Sequence, residues 1–220
     1  MAEPTTLSGP SFAPASGGPA KQLVILLHGV GANGDDLIGL APMLSQVLPD
    51  AEFLSPNAPE PCDMAPSGYQ WFSLQDRSPG PIEAGVRAAA PLVDQFIDDH
   101  CAARQLAPDR VALFGFSQGC MMSLFVGLRR PTPLAAILGY SGALVAPEKL
   151  ASEVVSRPPV LLVHGQDDPV VPHQMFTAAQ AGLTSAGVEV RSLSRPGLGH
   201  GIDEAGIHAG AAMLQSAFMA

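Results

Sequence analysis

Val111-Ala112-Leu113-Phe114-Gly115-Phe116-Ser117-Gln118-Gly119-Cys120 and the residues that follow, up to 128, pass from an unbroken apolar run through G-x-S-x-G into a helix-compatible stretch. A strand that is apolar at every position is buried on both faces, as in a parallel sheet. The two glycines permit a tight turn that lifts the Ser117 hydroxyl off the strand end and sets it at a helix N-terminus. Unpaired N–H groups there favour an oxyanion. The pattern has a second reading, in which Ser117 only caps an ordinary strand-to-helix turn.

Outward from this stretch, similar apolar runs occur at residues 23–27, 135–138 and 160–163, with shorter candidates at 52–55 and 188–193. Helical patterns fill 35–48, 82–105, 118–128, 173–186 and 202–218. Strand and helix alternate, which predicts an α/β fold with a mainly parallel central sheet and helices on both faces. Residues 1–20 are rich in Pro, Gly, Ser and Ala and read as a flexible arm or an edge hairpin, leaving 21–220 as a single domain. The proline-rich segment 55–80 reads as a long loop near one end of the sheet.

Composition removes several classes of function. Twenty acidic against 11 basic residues leave a net charge of -9, which argues against nucleic acid and anionic membrane surfaces. No apolar run approaches the roughly 20 residues that span a bilayer, so no stable membrane insertion is expected. Met1-Ala2-Glu3-Pro4-Thr5-Thr6 carries no basic flank or apolar core of a secretory signal. Cys62, Cys101 and Cys120 have neither the number nor the spacing of a disulfide framework or zinc site, and the cytoplasm is the expected location.

A serine hydroxyl needs a base, and the base an orienting acid. After Ser117, the carboxylates preceding a late histidine are Glu148, Glu153, Asp167, Asp168 and Glu189. Asp167 and Asp168 follow the apolar run 160–163 directly, which puts them at the same sheet edge as Ser117. Asp168 is favoured because Pro169 fixes its loop, with Asp167 as the alternative. His200, in Pro196-Gly197-Leu198-Gly199-His200-Gly201, can be delivered over the serine by a glycine-rich turn. His100, His173 and His208 read as surface or core residues, and His28 and His164 as hydrogen-bonding shapers of loops. Ser141, in Gly139-Tyr140-Ser141-Gly142, lies close by but opens no helix.

Gly29-Val30-Gly31-Ala32-Asn33-Gly34 satisfies G-x-G-x-x-G, a dinucleotide fingerprint. That reading lacks an acid at the end of the second strand and leaves Ser117, Asp168 and His200 without a role. The other reading makes the loop an oxyanion-hole donor, paired with the amide of Gln118.

Together His28-Gly29-Val30-Gly31, Gly115-Phe116-Ser117-Gln118-Gly119, His164-Gly165-Gln166-Asp167-Asp168-Pro169-Val170-Val171-Pro172 and Gly199-His200-Gly201 resemble the phospholipase/carboxylesterase branch of the α/β-hydrolases, which includes acyl-protein thioesterases. Ser55-Pro56-Asn57-Ala58-Pro59 and Trp71-Phe72 look like that branch too. The resemblance implies an α/β-hydrolase fold, a Ser117-Asp168-His200 triad with Asp168 preferred over Asp167, and oxyanion amides from Val30 and Gln118. It also implies ester or thioester hydrolysis with no metal or organic cofactor, and homodimers among some relatives. Eukaryotic thioesterase members carry an acidic residue where this chain has Ala32, which leans toward small esters. A small-molecule or lipid ester is then the substrate, short- to medium-chain carboxylic esters first, with lysophospholipase or acyl-protein thioesterase activity as the alternative. A non-catalytic binding protein and a dinucleotide binder rank below these. Trp71, Phe72 and Val171 are the candidates for the acyl pocket.

Overall fold

The computed structural model describes residues 6–219. Residues 1–5 of the expected N-terminal arm lie outside the described residues. The remainder of that arm contains β1 (Ser11–Phe12), which pairs antiparallel with β3 (Ala51–Leu54) at the edge of a seven-stranded sheet. The other strands are β2 (Gln22–Leu27), β6 (Val111–Phe116), β7 (Ala136–Tyr140), β8 (Val160–Gly165) and β9 (Val190–Arg195), in the spatial order β1-β3-β2-β6-β7-β8-β9. Every pairing from β3 to β9 is parallel. Two short strands, β4 (Glu60–Pro61) and β5 (Tyr69–Gln70), form a separate antiparallel pair inside the long 55–80 segment.

Burial on two faces explains the unbroken apolar strands. Leu23, Ile25 and Leu27 of β2 pack with Val86, Val93 and Ile97 of α3 (Pro79–Arg104) and Met122 of α4 (Gln118–Gly127). Val24 and Leu26 face the other way, onto Leu37 of α1 (Gly34–Ile38), Leu44 of α2 (Ala41–Leu44), and Met213 and Leu214 of α7 (Glu204–Met219). The period of two thus sorts one strand's side chains between two cores. A third cluster joins α4 to α5 (Pro147–Glu153) and α6 (His173–Ser185) through Leu124, Leu150, Phe176 and Leu183.

Among the helices, two places differ from the sequence reading. The helix expected over 35–48 is two short helices, because the chain leaves helical hydrogen bonding at Gly39-Leu40 and Pro42, near the start of α2, supplies no N–H. The short helix α5 was not anticipated, since its seven residues show too little periodicity beside Pro147.

The strand order fixes where a site can form. The chain runs from β2 outward to β3 and then returns to β6 on the opposite side of β2. Loops leaving the carboxyl ends of β2 and β6 therefore diverge, and the crevice between them is where open α/β sheets bind ligands.

Tyr140 ties this edge to the last helix. Its ring stacks on Phe114 with centroids 4.4 Å apart, and its hydroxyl donates to the Gly206 carbonyl at 2.9 Å. Tyr140→Phe keeps the stack and removes the bond, while the carbonyl keeps its intrahelical partner. The expected loss is about 1 kcal/mol, read as a Tm fall of roughly 2–4 °C; an unchanged Tm would show that the bond contributes nothing.

Candidate active site

Ser117 stands between β6 and α4 with φ 55° and ψ -114°, in a region that non-glycine residues rarely occupy. Such a conformation costs on the order of 1–3 kcal/mol and persists only where neighbours enforce it. The flanking glycines show the enforcement. A Cβ on Gly119 would overlap the carbonyl oxygen of Leu27, and one on Gly115 would overlap the carbonyl of Gly119. On the β2 side, a Cβ on Gly29 would lie 3.3 Å from the Cβ of Ser117. Every residue of α4 except Met121 is buried, so the helix carrying the turn is held on all sides.

His200 Nε2 lies 3.0 Å from Ser117 Oγ, and His200 Nδ1 lies 2.7 Å from Asp168 Oδ2. An ionised carboxylate only accepts, so Nδ1 carries the proton and Nε2 is left to accept from the serine. Asp168 Oδ1 accepts the amides of Val170 and Val171 at 2.8 and 2.9 Å. Burial pushes this carboxyl up, but the His200 hydrogen bond and the two amides outweigh it and hold it below the usual value. Asp167 is exposed and is not among the partners of His200, and its amide donates to Leu198 O at 3.0 Å.

That backbone bond helps deliver the histidine. Gly165, at the end of β8, lies so close to the carbonyls of Leu198 and Gly199 that no side chain fits. The Arg195–Asp203 ion pair at 2.7 Å closes the far side of the 196–202 loop, and Asp203 also caps α7 through the Gly206 amide. Ser141, the rival serine, has φ 48° and aims its hydroxyl at Gly201 O, 3.4 Å away, as a support for the same loop. The His200 ring rests against Phe116, centroids 4.9 Å apart.

The glycine-rich loop after β2 is braced rather than open to a phosphate. His28 Nδ1 donates to Gly29 O at 2.7 Å and its Nε2 accepts the Ala58 amide at 3.0 Å. Gly31, at φ 80°, donates its amide to Tyr69 O, and Gly34 abuts Ser55 O. Among the described residues the amides of Val30 and Gln118 donate to no other protein group, and each follows a residue packed on Ser117 or Ser117 itself.

Gln118 has a second part that sequence reasoning missed. Its Oε1 accepts the Trp71 amide at 2.8 Å and its Nε2 donates to Phe72 O at 2.7 Å. The Trp71 indole then donates to His28 O at 2.9 Å. Trp71 and Phe72 are therefore buried props of the site. An apolar groove of about 510 Å³ lies beside the triad instead, lined among others by Met121, Leu144, Val145, Val171 and Met175. Of the three pocket candidates, Val171 lines it and Trp71 and Phe72 do not. Met121 was findable as the residue one helical turn beyond Ser117; Leu144 and Met175 carried no signal. Cys120, next to the turn, is no rival nucleophile, since burial pushes its thiol up to about 12. Among the described residues no group of His, Cys, Asp and Glu is placed to hold a metal ion, and no helix is long and apolar enough to cross a membrane.

Comparison with known proteins agrees with this architecture. The sequence profile of the Phospholipase/Carboxylesterase family matches residues 11–216. Esterase YpfH of Escherichia coli is 32% identical over 185 residues, covering 84% of this chain and 78% of that protein. Acyl-protein thioesterase 1 of Schizosaccharomyces pombe is 33% identical over 182 residues, 79% of this chain and 80% of its own. The crystal structure of esterase PE8 superposes with a TM-score of 0.92 at 44% identity, covering 96% of this chain and 99% of that one.

Burial holds His28, His100 and His164 below the usual histidine value of 6.5, with the Arg104 charge adding to the effect at His100. As pH falls through that value the unfolded chain takes up these protons first, so their stabilisation is complete above it and lost below it. Asp168 adds a later loss, as pH falls from the usual carboxylate value through its own depressed one. Tm should hold steady above pH about 7 and drop steadily from about 6.5 to 5. His164→Gln should make that drop shallower; an equal slope in both proteins would remove His164 from the account.

Proposed function

The chain belongs to the phospholipase/carboxylesterase family, and from that premise we propose that it is a serine carboxylesterase acting on short- to medium-chain carboxylic esters through an acyl-enzyme on Ser117. The observation that carries the reading is the unbroken relay from Ser117 Oγ through His200 to Asp168, at 3.0 and 2.7 Å. In this mechanism Ser117 Oγ attacks the ester carbonyl as His200 Nε2 takes its proton. Collapse of the tetrahedral intermediate breaks the bond to the leaving oxygen, which receives that proton. Water, deprotonated by the same nitrogen, then releases the acid. Asp168 keeps Nδ1 protonated and stabilises the imidazolium.

The amides of Val30 and Gln118 hold the developing oxyanion. Their freedom from other partners and their place beside Ser117 support this role, and one such donor is worth about 10²- to 10³-fold in turnover. The apolar groove next to Asp168 and Met121 receives the acyl chain. No metal or organic cofactor enters these steps. The names of the similar proteins favour esters and thioesters alike, and Ala32 favours small esters. The buried thiols of Cys62, Cys101 and Cys120 suit a reducing compartment, so the cytoplasm is the proposed location. Homodimerisation belongs to the same family-based reading.

The test is hydrolysis of p-nitrophenyl esters of increasing acyl length. Wild-type protein should turn over the short esters, and Ser117→Ala should lose at least about 10³-fold in kcat/KM. A fluorophosphonate should label Ser117 alone. Met121→Trp should depress the octanoate ester about tenfold more than the acetate ester, since a narrowed apolar groove penalises each buried methylene. Equal inertness of wild type and Ser117→Ala would sink the esterase reading, and an equal effect of Met121→Trp on both esters would remove the chain from this groove.

A further inference from the structure

A second hollow, of about 260 Å³, shares no lining residue with the acyl groove and is lined by Asp36, Leu37, Leu40, Phe116, Gly201 and Ile202. Its position follows from which residues frame it. Gly201 is the neighbour of His200 in sequence, and Phe116 both precedes Ser117 and packs its ring against His200. The acyl groove, by contrast, is framed by Val170 and Val171 beside Asp168 and by Met121 within α4. An ester bound at Ser117 extends in two directions from its carbonyl carbon. The leaving atom must face His200 Nε2, because that nitrogen protonates it as the bond breaks. The half of the substrate that departs is therefore the half on the His200 side.

We infer that the hollow between α1 and the His200 loop is the leaving-group subsite, and that Asp36 at its rim selects compact alcohols or thiols that are neutral or cationic over anionic ones. This rests on the esterase reading above. Leu37, Leu40, Phe116 and Ile202 give the hollow apolar walls suited to a branched or ring-bearing group. Asp36 is exposed and forms no ion pair among the described residues, so its charge is available to a ligand. Asp35 beside it is likewise unpaired, while Asp203, close after Ile202, is matched by Arg195. Among the described residues no cation lines the hollow, and the whole chain is at -9. A leaving group that carries phosphate or sulfonate would meet uncompensated like charge, whereas a quaternary ammonium would meet Asp36.

Three butyrate esters isolate the effect: those of choline, of its neutral isostere 3,3-dimethylbutanol, and of 2-hydroxyethanesulfonate. They share one acyl-enzyme, so differences in kcat/KM report acylation alone. At low salt the choline ester should exceed the neutral ester by about two- to fivefold, as an exposed charge pair allows. The sulfonate ester should fall below the neutral one by at least as much. Raising salt to about 0.5 M should shrink both gaps, and Asp36→Asn should bring the choline-to-neutral ratio close to one. Leu40→Trp, which fills the hollow, should lower the 3,3-dimethylbutyl ester at least about tenfold relative to methyl butyrate.

The outcomes separate the two readings. Ratios near one in wild type, or a choline preference that survives Asp36→Asn, overturn the charge selection while the esterase stands. A Leu40→Trp protein that treats methyl and dimethylbutyl esters alike overturns the subsite itself. If no ester, methyl butyrate included, is hydrolysed faster than by Ser117→Ala, the esterase reading falls and takes the inference with it.

Discussion

The backbone of Gly119 rests directly on the carbonyls of Leu27 and His28, at a distance no side chain would permit. That contact presses the N-terminus of α4 onto the end of β2, and most of the site follows from it. Ser117 is forced through its positive-φ turn, Gly29 is brought against the serine, and the amides of Val30 and Gln118 come to flank one point. The strain at Ser117 is tolerable because α4 is buried almost all round, so relaxing the turn would mean moving a packed helix.

A second layer keeps this contact from loosening. Gln118 grips the backbone of Trp71 and Phe72, Trp71 reaches the His28 carbonyl, and His28 bridges Gly29 to Ala58. The polar groups of Gln118, Trp71 and His28 in this network all have partners, which is the condition for it to rigidify its surroundings. The long 55–80 segment is thereby tied into the frame around Ser117. On the other side, Gly165, Ser141 and the Arg195–Asp203 pair do the same for the loop carrying His200. The two braced halves leave an apolar groove lined by Val170 and Val171, next to Asp168, and a smaller hollow lined by Gly201, next to His200.

Much of this was legible in the chain. Unbroken apolar runs at 23–27, 111–114 and 160–163 mark strands buried on both faces, because a half-exposed strand would alternate. G-x-S-x-G between such a run and a helix marks the serine, since only glycines tolerate the close approaches found at 115 and 119. Asp168 and His200 were reachable because both sit in loops leaving strand ends, where chain order and edge position restrict the choice. Local composition also announced the breaks that matter least, and it misled at 35–48, where Gly39 and Pro42 split what periodicity read as one helix.

The sequence by itself thus determined the layered α/β architecture and singled out Ser117, Asp168 and His200, which the fold brings into one hydrogen-bonded chain, because periodicity and glycine placement are local properties of the chain. The tertiary structure alone decided what surrounds them. Trp71 and Phe72 read as pocket walls from their apolar character, yet long-range bonds to Gln118 and His28 consume them as props. Leu144, Met175, Leu40 and Asp36 gave no signal, since each acquires its position only when segments distant in sequence meet: Leu144 and Met175 with Met121 and Val171, and Asp36 and Leu40 with Phe116 and Gly201. Side-chain chemistry is written in the chain; which cavity a side chain faces is set by packing between segments that no local pattern connects.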